Sequence, residues 1–459
     1  MLSFGDRSSL GRRDFLRVGG LGLGSLGLSQ FARAGAALSD SGRPVTDKSV
    51  IFVFLHGGPS QLETFDPKPD APVETRTVTG TIPTKLPGVN FGASFPELAK
   101  RADRLAIVRS YVPGDASHDI KPVVSKATSG GSLGAAYSNI AGGNHPTSGM
   151  PTNVLLFPRS VDPDSEPGLT KFGNFASTGP FGSATSPFDP AGGGSLQEDM
   201  RLHLPVDRLD DRRTLLAALD AAKLHIEDGT DAYRTKALSL LLNGAGDAFD
   251  LKKEDPAIVS RYDTASRVNL AKFDPKWTNY KHYIGNAKTL GKLLLLARRL
   301  VERGAGFVTV TTGFVWDMHS DKNNAGVAEG LSYAGPPLDH ALSMLLDDLQ
   351  ERGLSEKVTV VVCGEIGRSP KINKNGGRDH WGNLGTLLLS GGGLKCGQVI
   401  GKSVANGGEP DGYTARIPNL VSSLMHNLFD VGRLRVQRGV SRDVLQLIEP
   451  EPIRGLHGS

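Results

Sequence analysis

The sequence predicts an α/β protein: a doubly wound, mostly parallel sheet flanked by helices and carrying a Gly/Pro-rich insertion. Three observations predict it. Short runs such as FVTVT and KVTVVVC are β-branched and mostly apolar, as strands buried on both faces are. They alternate with longer stretches of helical periodicity, the rhythm of strand–helix–strand crossovers. Glycines close two of the helical stretches, at Gly304 and Gly353, where a left-handed residue ends a helix at no steric cost.

The elements follow in order. A first strand runs from about Val50 to Leu55 and ends in a Gly-Gly-Pro turn. Helical pattern near Phe95–Ala102 precedes a second strand, Arg104–Ser110. Ser117, His118 and Asp119 then stand just before a helix-like run ending in glycines, and Asn153–Phe157 reads as a third strand. Residues 158–205 are rich in Gly, Pro, Ser and Asp and lack periodicity. That is too long for a simple connector, so an inserted, partly ordered flap over the site is expected. Helices are expected over Asp207–Ala245 and near Asp255–Leu270. The strongest helix is Asn286–Arg303, with Leu290, Leu293, Leu294, Ala297, Leu300 and Val301 on one face. Strand Phe307–Thr312, helix Pro337–Arg352, strands Lys357–Cys363 and Thr386–Ser390, and a closing helix Arg416–Phe429 complete the pattern. There is no internal repeat and no coiled coil.

The 459 residues carry a formal charge of +4, but residues 1–34 hold five Arg against two acids and supply +3 of it. The remainder is nearly neutral, which excludes a nucleic-acid footprint. Arg12-Arg13 precedes a mild, glycine-rich apolar stretch and Ala32-Arg33-Ala34, the layout of a twin-arginine export signal over residues 1–34. The mature protein is therefore expected to be periplasmic or secreted. No other segment is long and apolar enough for a transmembrane anchor. Cys363 and Cys396 lack CxxC partners and read as two small thiols, although an exported protein permits a bridge.

Chemistry concentrates where the apolar runs end. Asp317 and His319 stand i and i+2 beyond one strand, suited to meeting a single ion from one face of an extended chain. Glu365 follows the next strand directly, with Arg368 placed either to pair with it or to hold an anion bidentately. Arg378, Asp379 and His380 precede the run TLLLSGG, with Arg378 a candidate to hold an anionic substrate, His380 a ligand and Asp379 beside it to orient it within the metal group. Ligands bind at the carboxyl ends of strands in open α/β sheets, so these clusters are expected to form one site. His118 and Ser117, after the second strand, are candidates for proton transfer and for holding substrate. Ser60 is a turn residue that would matter only beside a metal.

The motifs GGPSQLETFDPKP, LARRLVERGAGFVTVTTGFVWDMHSD, CGEIGRSPKIN and GGRDHWGNLGTLLLSGGGLKCGQVIG resemble the DUF1501 family of exported bacterial proteins, abundant in planctomycetes, from about residue 48 to 448. That family is grouped with the alkaline phosphatase and sulfatase superfamily. The resemblance implies an alkaline phosphatase-like fold and a divalent ion, zinc, calcium or manganese, held by Asp and His. It implies a sulfatase- or phosphatase-like hydrolase acting on an anionic ester or glycan. By position, Asp317 and His319 resemble the superfamily's Asp-spacer-His ligand pair and His380 its last histidine. The chain departs from the pattern with His56-Gly57 after the first strand and Glu365-Ile366-Gly367 in place of Asp-His-Gly. The nucleophile's place falls near Ile120, with only Ser117 close. These departures point to one metal with His118 near the attack position. They also keep open a non-catalytic binding protein of the cell envelope that recognises an anionic glycan or a partner protein.

Overall fold

The computed structural model describes residues 44–191 and 245–458. The expected leader, the end of the expected flap and the helix expected over Asp207–Ala245, apart from its last residue, lie outside the described residues.

Among the described residues, seven strands form the central sheet. In chain order they are β1 (Ser49–Phe54), β2 (Ala106–Val108), β3 (Asn153–Leu156), β4 (Phe307–Thr311), β5 (Val358–Cys363), β8 (Leu387–Gly391) and β9 (Gln398–Ile400). A separate hairpin, β6 (Gly367–Ile372) and β7 (Arg378–Trp381), lies between β5 and β8 in sequence. The spatial order is β9-β2-β8-β5-β1-β4-β3. β1 runs parallel to β4 and β5, β3 to β4, and β9 to β2.

The two faces of β1 show why the runs are mostly apolar. Ile51, Val53 and Leu55 pack into one core with helices α2 (Tyr280–Glu302) and α3 (Val327–Glu351). Val50, Phe52 and Phe54 pack into the other, with α1 (Leu133–Ala141) and α4 (Ile417–Leu428). A strand covered on both sides cannot spare alternate positions for polar residues. Each such side chain contributes roughly 1.5–3 kcal/mol by leaving water.

Four details correct the sequence expectations. The run TLLLSGG forms β8, which is antiparallel to both β5 and β2. Its start therefore lies at the carboxyl edge of the parallel strands, level with Cys363 at the end of β5. The residues after Ser117 form turns and one short 3-10 segment, Lys126–Thr128, and the helix begins only at Leu133, capped by the Ser132 hydroxyl. Over Asp255–Leu270 the helix stops at Arg261 and gives way to 3-10 turns. Finally, α3 starts at Val327 and carries Pro336 and Pro337 in its interior. Pro usually marks a helix start, but Val327, Leu331 and Ala334 in the preceding turns are buried in the core, and tertiary packing overrides the local signal.

Candidate metal centre at the carboxyl edge

β4 ends at Thr311, and the chain beyond it is not extended. Val315, Met318 and His319 each donate their N–H to the carbonyl two residues back, at 2.8–3.0 Å, so the segment folds as consecutive three-residue turns. This tight path, rather than strand alternation, brings Asp317 and His319 together. The segment is pinned on both sides: Trp316 N–H donates to His56 O, and Arg378 N–H donates to Met318 O. Gly57 makes the first contact possible. A Cβ there would lie 2.5 Å from Asp317 N, and its φ of +114° suits only glycine.

Asp317 Oδ1 is the hub. His319 Nε2 lies 3.0 Å away, His118 Nε2 and His380 Nε2 each 3.3 Å, and Arg368 donates to the same oxygen at 2.6 Å. Asn324 donates to Oδ2 at 3.0 Å. One ligand atom from each of His118, Asp317, His319 and His380 falls within 4.8 Å of the others. Burial opposes the charge on Asp317, but the three imidazoles and the Arg368 guanidinium outweigh it and hold this carboxyl far below the ordinary range.

His118 is oriented from behind. Glu365 Oε1 accepts the Gly57 N–H at 2.9 Å and lies 2.7 Å from His118 Nδ1. We assign the proton of His118 to Nδ1 on that basis, which turns Nε2 toward the crevice. There Nε2 is buried and makes no hydrogen bond, being close to Asp317 but out of line with it. Burial works against charge on His118, yet the two carboxylates raise its pKa above the ordinary value. His380 is shifted the opposite way, chiefly by burial. Its ring packs 4.2 Å from that of His118, and β7 pairs it with Arg368 on β6.

An unpartnered buried imidazole nitrogen beside a carboxylate oxygen and two further imidazoles is a donor set that suits a divalent ion. If an ion binds there, His118, Asp317, His319 and His380 are the residues at hand to hold it.

The remaining sequence candidates take other positions around or away from this centre. Arg368 is 1 % exposed, and its donors reach Gly57 O, Gly58 O, Arg378 O, Asp317 and His319, so they are engaged within the protein. Arg378 is buried in a bidentate pair with Glu63, at 2.9 and 3.0 Å. Asp379 sits at an irregularity in the hairpin ladder that turns its side chain outward, 66 % exposed. Its Oδ1 lies 3.5 Å from His319 Nδ1, so it attends His319 and not the neighbouring His380. Ser117 is exposed, its hydroxyl engaged with Asp115 and Asp119. Ser60 is buried with its hydroxyl donating to Glu63 at 2.5 Å. Sequence reasoning missed Asn324, the Gly57 backbone and the aromatic wall of Phe172 and Phe314, whose rings stand 5.0 Å from His118. Only the Gly57-Gly58 pair left a legible mark.

His56 lies behind this wall among Phe54, Phe172, Phe175 and Phe314. Burial lowers its pKa to about 4. A base whose folded pKa lies below its unfolded value adds stability that is complete above the unfolded pKa, near 6.5, and fades as pH falls toward 4. The difference corresponds to roughly 3 kcal/mol. Urea midpoints of the wild type are expected to drop between pH 7 and pH 4.5, and His56→Phe to flatten that part of the profile. An unchanged acid slope in the variant would contradict this.

Fold and site together define an α/β protein with a candidate Asp/His metal centre at the carboxyl edge of its sheet. The chain belongs to the DUF1501 family, described as a protein of unknown function, whose model matches residues 47–436. No curated protein matches it. Among solved structures it is similar to the PsFucS1 sulfatase from Pseudoalteromonas sp., at 11% identity over 97% of this chain and 77% of that one, TM-score 0.38. It is similar to Ps i-CgsB at 9% identity over 88% and 75%, TM-score 0.35. The lipoteichoic acid synthase LtaP from Listeria monocytogenes matches at 10% identity over 91% and 81%, TM-score 0.29. Among the described residues, no helix is long and apolar enough to cross a membrane.

Proposed function

We propose that this protein is an exported, metal-dependent hydrolase of sulfate or phosphate esters, resembling sulfatases and phosphatases, with an anionic glycan as the substrate class. The observation that carries the reading is the convergence of His118, Asp317, His319 and His380, drawn from three separate stretches of chain, on one carboxylate oxygen. Three imidazoles and one carboxylate favour a transition metal such as zinc, or manganese, over calcium, which takes six to eight oxygens. A bound ion would polarise the ester and absorb charge developing on its oxygens.

The chain's own part is to fix a ligand's tautomer. Glu365 accepts the Nδ1 proton of His118, which leaves the single Nε2 lone pair for the ion. The water oxygen bonds to sulfur or phosphorus as the ester oxygen departs and takes up the water's proton, leaving as the alcohol. Water is the nucleophile in this scheme because the Ser60 and Ser117 hydroxyls are both engaged elsewhere. Those engaged hydroxyls also favour a second reading, a non-catalytic envelope protein that binds an anionic glycan or a partner protein. Export through the twin-arginine route is part of the proposal and is tested by cleavage of the leader in cells.

Glu365→Gln is expected to lower metal affinity about 10–100-fold, the usual cost of losing the partner that orients a ligating histidine, and turnover of aryl sulfate or phosphate esters at limiting metal should fall with it. Titration calorimetry with zinc checks the affinity. A full panel of esters left intact by metal-loaded wild type would favour the binding reading.

A further inference from the structure

Three candidate imidazole ligands crowd Asp317, but one of them has a prior claim on its lone pair. Arg368 Nη1 lies 3.3 Å from His319 Nε2, in hydrogen-bond geometry. A guanidinium only donates, so His319 Nε2 must accept, and an imidazole nitrogen has a single lone pair for this purpose. The other side of the ring agrees: Nδ1 faces the Asp379 carboxylate at 3.5 Å, which suits a proton on Nδ1. His319 Nε2 is near Asp317 at 3.0 Å, yet its hydrogen bond is with the arginine.

The guanidinium cannot easily withdraw. Nε donates to Gly58 O at 2.9 Å, Nη1 to Arg378 O at 3.2 Å, and Nη2 to both Gly57 O and Asp317 Oδ1. Buried carbonyls on the Gly57-Gly58 turn and on β7 hold it against the one histidine whose nitrogen it reaches. His118 and His380 have no such contact with Arg368: His118 Nε2 is unpartnered, and His380 Nε2 points to Asp317.

We infer that Arg368 withholds His319 from the metal, so that the ion is held by Asp317, His118 and His380 alone. This rests on the metal-centre reading above and adds to it. Four protein ligands close a site, whereas three leave a position for water or substrate, as catalytic zinc sites do. Arg368 is thus a positioning residue: it keeps the centre open by occupying the nitrogen that would shut it.

Zinc binding to the full chain tests this by affinity and by X-ray absorption. In the wild type, the absorption spectrum should count two imidazoles. His319→Ala should change zinc affinity by no more than about threefold, while His118→Ala and His380→Ala each lose at least 10–100-fold. Arg368→Met should release His319, raising affinity about tenfold and the imidazole count to three, and the gain should vanish in Arg368→Met/His319→Ala. Should Arg368→Met fail to fold, the wild-type count and the His319→Ala affinity decide alone, since His319 is partly exposed. Three imidazoles in the wild type, or a tenfold loss in His319→Ala, would overturn this inference while leaving the metal centre standing. A wild type that binds no zinc removes both.

Discussion

Asp317→Asn is expected to abolish stoichiometric metal binding, with a loss of zinc affinity of at least ~100-fold, or about 2.7 kcal/mol. The reason is the hub geometry: one oxygen of this side chain is the common neighbour of every other candidate ligand. Asparagine keeps the size but removes the charge that offsets a divalent ion. It also leaves the buried Arg368 without its acid, so the metal-free variant should itself be less stable. His380→Ala separates the two effects. Its ring is partly exposed and makes no contact with an acid other than Asp317, so it should lose metal while keeping near-wild-type stability without metal. Elemental analysis and titration calorimetry of the three proteins check this. Metal retained by Asp317→Asn at wild-type affinity would dissolve the proposed centre.

Part of that centre was legible in the sequence for a simple reason. Acid and imidazole side chains stood at the ends of strands whose apolar pattern was unmistakable, and parallel strands deliver their ends to one edge. His380 was legible for the wrong reason. It reaches the same edge because β8 is antiparallel and starts where β5 ends, a fact that no local pattern encodes. The pairing of Asp317 with His319 was likewise anticipated as strand alternation, whereas tight turns produce it. The choice between pairing and anion holding for the arginines was left open by the sequence. A guanidinium at the mouth of a crevice and one sealed beneath it have the same letter, and only burial distinguishes an anion grip from a brace. Helix limits failed where core contacts outweigh local signals, as at Pro336-Pro337.

Arg378→Met should be the most destabilising single change of those considered, by roughly 3–5 kcal/mol, the cost of stranding a buried charge. Arg378 and Glu63 are both about fully buried, joined by two hydrogen bonds, and neither faces the crevice. Arg378 also donates to the carbonyls of Arg76, Ser369 and Pro370, so one side chain ties the turn after β1 to both strands of the hairpin. That hairpin carries Arg368 and His380, which makes the ion pair the foundation of the site without any contact with a ligand. Glu63→Gln should cost a similar amount, because it leaves the buried Arg378 charge without its acid and turns an amide N–H toward one of the Arg378 donors. The double variant Glu63→Leu/Arg378→Met should be less damaging than the sum of its parts, since removing both charges leaves neither unpaired. Chemical denaturation of the single and double variants measures the coupling. Strict additivity would mean that the pair is not an energetic unit, and that the hairpin is held in place by its backbone contacts alone.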